Sequence, residues 1–263
     1  MRSTTGRWSD LATRIGSALV MVLLGIWGIW SGGDIFHVFV AIICGLMCWE
    51  LTRMVSPTNL KRSWNLGIFT GVSILIAIEV PFLLGFLILL VPAAMGGFVL
   101  DQNRALFVTF SVMICLSGFS MIFVRDGLGL SWMVWLISLV VATDVAGYFA
   151  GRLIGGPKFW PTVSPKKTWA GTSAGWIAGG LVGAVFAYNS GAMLLIVSIS
   201  FVLAFASQMG DIAESAVKRK MGVKDSSMLI PGHGGVFDRF DGFMGAALMM
   251  LPLNYLGFPP GVS

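Results

Sequence analysis

The chain has 263 residues, enough for one or two soluble domains, but 56% of them are hydrophobic and 11% charged, and the mean hydropathy is +0.87. Soluble domains carry about 25% charged residues, and disordered segments need low hydrophobicity. Both classes are excluded, which leaves a polytopic, all-α integral membrane protein. Glycine is abundant at 34 residues, as suits membrane helices that pack backbone to backbone. The net charge of +5 comes without a long basic run or interleaved base-stacking residues, so nucleic acid is not an expected partner. Lipid headgroups or a phosphorylated substrate fit that balance.

A helix needs roughly 17–25 apolar residues to cross a bilayer. In chain order this predicts nine passes, near 15–31, 35–52, 65–79, 81–99, 105–124, 131–150, 171–188, 191–210 and 242–258. The first begins after Arg14, and no small-x-small cleavage site follows it, so it reads as a retained anchor. The third and fourth are the weakest pair, separated only by Glu79 and Pro81. Glu50 and Glu79, near helix ends, read as structural or interfacial. Cys44, Cys48 and Cys115 lie in apolar runs and read as small buried hydrophobes.

Lys and Arg favour the cytoplasmic side of a membrane. With nine passes, 16 of the 17 bases share one side and Arg125 alone stands opposite; merging 65–99 into one pass makes the split 7 against 10. Nine passes with a cytoplasmic N-terminus are therefore expected. Without repeats, Pro-rich linkers or low-complexity tracts, residues 1–263 read as a single integral domain. Within it, 1–130 supply N-terminal helices and 131–263 the helices and loops with the polar motifs.

In the sixth pass Asp144, Tyr148 and Gly151 share a helical stripe. Ionisable groups at membrane depth are costly, so they usually line a cavity or bind something. The following loop, 151–170, holds Arg152, Lys158, Lys166 and Lys167 and no acid. Its run SPKKT, Ser164–Thr168, ends at the start of the seventh pass, and lysines beside a helix N-terminus make an anion site. In that pass Gly171, Gly175, Gly179 and Gly183 recur at every fourth position, a groove for close helix packing.

The last third concentrates the charges. Asp211, Glu214, Ser215 and Lys218 form one stripe at the end of the eighth pass, and Asp238 and Asp241 repeat the i, i+3 spacing before the ninth. Between them lies LIPGHGGVF, whose glycines permit a tight turn and close backbone approach. His233 sits among those glycines and reads as a site residue. Carboxylates converging from separate helices repel unless a cation joins them, and a hard divalent ion, magnesium first, is the economical choice. An acidic metal cluster facing a lysine cluster on the cytoplasmic side is what a nucleoside triphosphate requires.

Residues 215–241, SAVKRKMGVKDSSMLIPGHGGVFDRFD, closely resemble the motif of the phosphatidate cytidylyltransferases, or CDP-diacylglycerol synthases. The motif reads Ser-x-x-Lys-Arg, then Lys-Asp, Pro-x-His-Gly-Gly and Asp-Arg-x-Asp, and every element is present. GDIAES at 210–215, the Asp144–Tyr148–Gly151 run and SPKKT resemble other family motifs. Two positions depart from the family: Ala170 stands where Glu is common, and Gly242 where Ser is usual. Position 170 is accordingly left out of the site.

The resemblance implies an enzyme that joins CTP to phosphatidic acid, giving CDP-diacylglycerol and pyrophosphate for phospholipid synthesis. It implies Asp211 and Asp238 as principal magnesium ligands, and leaves room for a monovalent cation such as potassium beside the magnesium. The expected catalytic set is Asp211, Asp238, Asp241, Lys218, Arg219 and His233. Substrate contacts are expected from Asp144, Tyr148, Ser164, Lys166, Lys167, Thr168, Glu214, Ser215, Lys224, Asp225, Gly234, Gly235 and Arg239. A homodimer in the bacterial inner membrane, among lipid partners, is what the family further implies.

Rival readings leave specific marks. A CDP-alcohol phosphotransferase needs Ala-Arg and two further aspartates after its opening Asp-x-x-Asp-Gly, and no acid follows Asp241. An ion-coupled transporter places carboxylates at mid-membrane in a pseudo-repeat, whereas these cluster at helix ends. No Walker Gly-Lys-Ser/Thr loop exists for an ATPase. A related CTP-dependent synthase acting on an isoprenoid-type lipid phosphate is the nearest alternative.

Overall fold

In the computed structural model, residues 4–188 and 191–258 are described, with side chains from residue 13 onward; Arg2 and the side chain of Arg7, two of the 16 bases counted on one side, lie outside them. The described chain runs through nine α-helices: α1 Thr4–Ser31, α2 Gly33–Val55, α3 Leu60–Glu79, α4 Phe82–Val99, α5 Arg104–Phe123, α6 Leu130–Leu153, α7 Trp169–Phe186, α8 Met193–Lys220 and α9 Phe237–Tyr255. Each predicted pass coincides with one of these helices. Among the described residues, six segments are long and apolar enough to cross a membrane: Thr13–Ser31, Gly33–Val55, Phe82–Val99, Arg104–Leu128, Leu130–Leu153 and Met193–Lys220. The protein is thus a multi-pass, helical membrane protein.

Pro81 separates α3 from α4 as expected, since its ring disfavours a helical residue before it; Val80 is extended there, with φ −118° and ψ 162°. The all-α expectation is qualified at one place. The basic loop after α6 forms a short antiparallel ribbon, β1 Lys158–Trp160 with β2 Ser164–Thr168.

The chain forms two compact units. The first takes the chain as far as Cys115 and then Met221–Arg239; the second takes Leu116–Lys220 and the chain from Phe240 onward. The loop bearing the glycine motif thus belongs with the N-terminal helices in the first unit. Glycine governs the packing of the first unit. A Cβ on Gly45 of α2 would lie 2.8 Å from the Gly67 carbonyl oxygen of α3, and one on Gly67 would lie 2.7 Å from that of Gly45. Phe36, Val40, Cys44, Met47, Cys48 and Leu51 turn into this core, so the cysteines are buried and unpaired as disulfides.

In the second unit the glycine stripe of α7 is the packing surface. A Cβ on Gly171 would lie 2.6 Å from the Gly147 carbonyl of α6, and one on Gly179 would lie 2.7 Å from Ala204 Cβ of α8. At Gly175 it would collide with Gln208 and the Thr143 carbonyl, and at Gly183 with Ser200. Helix α7 is thereby clasped between α6 and α8. Helices α8 and α9 meet in the same way: a Cβ on Gly210 would collide with the Asp241 carbonyl, and one on Gly245 with that of Ala206.

Candidate active site

In the second unit the Gly210–Gly245 crossing decides which side chains meet. With the backbones of α8 and α9 in contact, the residues one turn along each helix converge. Asp211, Glu214 and Asp241 each place a carboxylate oxygen within 4.8 Å of the others. The i, i+3 pair of α8 thus finds its third member on α9. Glu214 is fully buried, whereas Asp211 and Asp241 are half-buried. Removal from water first, then the neighbouring Asp211 and Glu214, push the Asp241 carboxyl well above the usual aspartate range. Asp144 of α6 adds a smaller push, and the Gly242 N–H, donating to Asp241 Oδ1 at 2.7 Å, opposes it.

Cations and hydroxyls surround this cluster. The Lys167 ammonium, at the end of β2, lies 2.6 Å from Asp211 Oδ2 and donates at 3.5 Å to the Gln208 carbonyl. Ser215 Oγ donates to Asp211 Oδ1 at 3.3 Å. Lys218 pairs with Glu214 one turn earlier on α8. The donor set is all oxygen, acidic and compact, and so fits a hard divalent ion. Gly242, where the family has Ser, is buried beside Ser207; a Cβ there would lie 2.9 Å from Ser207 Oγ and 3.7 Å from Asp144 Oδ2.

The lysine-rich ribbon leads into α7. Thr168 caps that helix, its Oγ1 accepting from the Gly171 N–H at 3.2 Å, and Gly151 packs against the same hydroxyl. Lys166 is exposed, next to Lys167 on the strand that delivers the cap, and Ser164 is half-buried at the strand's start. Two lysines and an N-terminus are therefore held on one short rigid element, as an anion site requires. Tyr148 is exposed on α6 and its hydroxyl accepts from Arg152 Nη1 at 2.8 Å. Arg219 is exposed on the last turn of α8.

In the first unit the motif loop is shaped by its glycines and anchored by carboxylates. Gly232 and Gly234 adopt φ +77° and +86°, a region disfavoured for residues with a Cβ. They let the loop reverse at Ile230–Gly234, where the Ile230 N–H donates to the Gly234 carbonyl at 2.8 Å. Asp238 Oδ2 accepts from the Ser226 N–H at 2.9 Å, Ser226 Oγ at 2.8 Å and the Gly235 N–H at 2.8 Å. Arg239 grips the His233 carbonyl through Nε at 3.1 Å and Nη2 at 2.8 Å. His233 Nδ1 stands 2.9 Å from Ser17 Oγ of α1, so its ring helps fasten the loop. Lys224 and Asp225 are exposed on the loop.

One residue read as structural or interfacial turns out to organise this loop. Glu50, fully buried near the end of α2, accepts from Ser227 Oγ at 2.5 Å, Ser226 Oγ at 3.1 Å, the Val236 N–H at 2.9 Å and the Phe237 N–H at 2.6 Å. Nothing in its local sequence marks it, because its partners lie 176–187 residues away.

Comparison with known proteins follows the same residues. A model described as the cytidylyltransferase family matches residues 12–256. The chain is similar to the phosphatidate cytidylyltransferase of Brucella suis biovar 1, 36% identical over 97% of each chain. The enzyme of that name from Staphylococcus saprophyticus is 38% identical over 59% of this chain and 61% of its own. That of Helicobacter pylori strain 26695 is 38% identical over 52% of each.

Proposed function

The chain belongs to the cytidylyltransferase family, and from that premise we propose that it transfers the cytidylyl group of CTP to phosphatidic acid, forming CDP-diacylglycerol and releasing pyrophosphate. The observation that carries this reading is the three-carboxylate cluster of Asp211, Glu214 and Asp241, in one unit with a lysine ribbon that caps α7. A phosphate oxygen of the lipid attacks the α-phosphorus of CTP, a P–O bond forms there, and the bond to the pyrophosphate leaving group breaks. The lipid phosphate is already an anion, so no strong protein base is needed. The protein's task is alignment and neutralisation of charge on the leaving pyrophosphate.

Magnesium bound by Asp211, Glu214 and Asp241 would supply charge neutralisation on phosphate oxygens. Asp238 is assigned as a magnesium ligand by the motif alone. Lys166, Lys167 and the α7 N-terminus are proposed to receive phosphate, with Arg219 contributing from the end of α8. Lys167 would exchange its bond with Asp211 for substrate phosphate once a cation satisfies that carboxylate. His233 and Arg239 are proposed to keep the motif loop closed rather than to transfer a proton. The polypeptide would cross the membrane nine times with its N-terminus and catalytic loops in the cytoplasm, in a bacterial inner membrane.

The test is transfer by purified protein in detergent with magnesium, labelled CTP and phosphatidic acid. Label is expected in the lipid fraction with one pyrophosphate released per lipid. Asp211→Asn and Asp238→Asn are expected to remain folded and to lose at least about a hundredfold in rate, as loss of charge-stabilising groups commonly does. Transfer to an isoprenoid phosphate and not to phosphatidic acid would replace the lipid substrate. No transfer to any lipid phosphate would overturn the reading.

A further inference from the structure

We infer that Glu50 is a positioning residue for the reaction, holding the motif loop and Asp238 in place through Ser226 and the start of α9. The inference rests on the cytidylyl-transfer reading. Every link lies within the first compact unit.

A helix N-terminus leaves backbone N–H groups without intrahelical partners. At the entry to α9, the consecutive N–H groups of Gly235, Val236 and Phe237 are met by two carboxylates from different parts of the chain. Asp238 reaches back to the Gly235 N–H, and Glu50 takes the next two, Val236 and Phe237. Both carboxylates also meet Ser226 Oγ, Glu50 Oε2 at 3.1 Å and Asp238 Oδ2 at 2.8 Å. Glu50 and Asp238 are therefore joined through one hydroxyl and through consecutive amides. The glycine motif permits this approach: a Cβ on Gly235 would collide with Ser226 Oγ and with the Glu50 carboxylate. A fully buried carboxylate on a membrane helix is expensive unless its acceptor capacity is filled. Glu50 has four donors, all from the loop that bears Asp238 or from the helix turn that presents it.

A residue whose only duty was stability could be replaced by apolar packing of similar size. Glu50 instead fixes the geometry of a proposed ligand, and loss of such supporting partners commonly lowers metal affinity or activity about 10–100-fold. Glu50→Gln preserves size but brings an amide N–H against loop donors. Glu50→Asp keeps the charge on a shorter stem. Ser226→Ala cuts the same link from the other side.

The experiment takes purified full-length wild type and these three variants. It measures amide exchange over residues 225–239, manganese binding by electron paramagnetic resonance, and kcat and KM for CTP. In Glu50→Gln, exchange at Gly235–Phe237 is expected to accelerate. Manganese affinity and kcat are expected to fall about tenfold or more, with the KM for CTP within about twofold of wild type. Glu50→Asp should recover part of both losses, and Ser226→Ala should reproduce the weaker manganese binding. A folded Glu50→Gln protein with wild-type exchange, manganese affinity and kcat would overturn the inference. So would a variant that merely loses thermal stability while its folded fraction turns over normally. If wild type itself makes no CDP-diacylglycerol, the functional reading fails, while exchange and manganese binding still decide whether Glu50 positions the loop.

Discussion

Asp241 shows how much chemistry a single carboxylate can reveal. Burial and the two acids beside it raise its affinity for a proton, so the folded protein binds that proton more tightly than the unfolded chain does. The linkage sign follows: without a cation, stability present at low pH is lost as pH rises above the ordinary aspartate range. Metal binding requires the ionised form, so metal affinity moves the opposite way and increases with pH. In chelator, the wild-type thermal midpoint is therefore expected to fall between about pH 5 and pH 8. Magnesium should restore it at the upper end, because a ligand bound only by the native state stabilises it. Asp241→Asn removes the repulsion, and should raise the chelator midpoint at the upper end of that range. It should also abolish the magnesium response. Thermal scans at both pH values with and without magnesium check all of this; a variant that still gains stability from magnesium would remove Asp241 from the ion.

At this scale much was legible. Helical spacing alone placed Asp211 with Glu214, and the cluster then gained Asp241 from the next helix. Glu50 was not legible, because a single acid in an apolar run carries no local sign that its acceptors are filled from the far end of the chain. Spacing also put Lys218 on the acidic stripe, and it pairs there with Glu214 one turn earlier.

Among the elements, glycine spacing was the most informative signal and charge the least. The four-residue repeat in α7 reads directly as close packing, and the structure gives each glycine a named neighbour on α6 or α8. The β1–β2 ribbon was missed because strands of three and five residues leave no periodicity to detect. Two substitutions separate packing from chemistry. Gly183→Leu forces atoms into Ser200, which lies about three turns before Asp211 on α8, and overpacking of this kind costs about 1–3 kcal/mol. It should lower the thermal midpoint while sparing the kcat of the folded fraction. Gly245→Ala pushes against the Ala206 carbonyl at the α8–α9 crossing, which sets the spacing of Asp241 from Asp211 and Glu214. Its kcat should fall about tenfold or more, the scale on which small misplacements act. Equal effects of the two variants on kcat would show that the crossing does not set the site.

The topology of the whole molecule depends on helices too polar to cross a membrane by themselves. Six segments are apolar and long enough to span by themselves, and α3, α7 and α9 fall outside that set for visible reasons. Helix α3 opens with Lys61 and Arg62 and carries Asn65, α7 is short and rich in glycine, and α9 spends its first turn on Asp238, Arg239 and Asp241. Yet only if α3 and α7 both cross do 16 of the 17 bases fall on one side, while no base follows Arg239 to report on α9. Failure of α3 alone reverses every later loop and dissolves the asymmetry that normally sets orientation. A helix too polar to insert by itself can still span when neighbours bury its polar face, and α3 does bury Ser63, Thr70 and Ser73. Single cysteines at exposed Lys166 and Lys224, and at Asp126, in a background lacking Cys44, Cys48 and Cys115, would report each side separately. A membrane-impermeant maleimide applied to intact cells is expected to label only position 126; applied to inverted vesicles, it should label 166 and 224 and not 126. Labelling of 166 and 126 from the same side would mean that α6 does not cross. Labelling of 166 and 224 from outside would mean that an odd number of the first six helices turns back, and would place the carboxylate cluster away from the CTP pool.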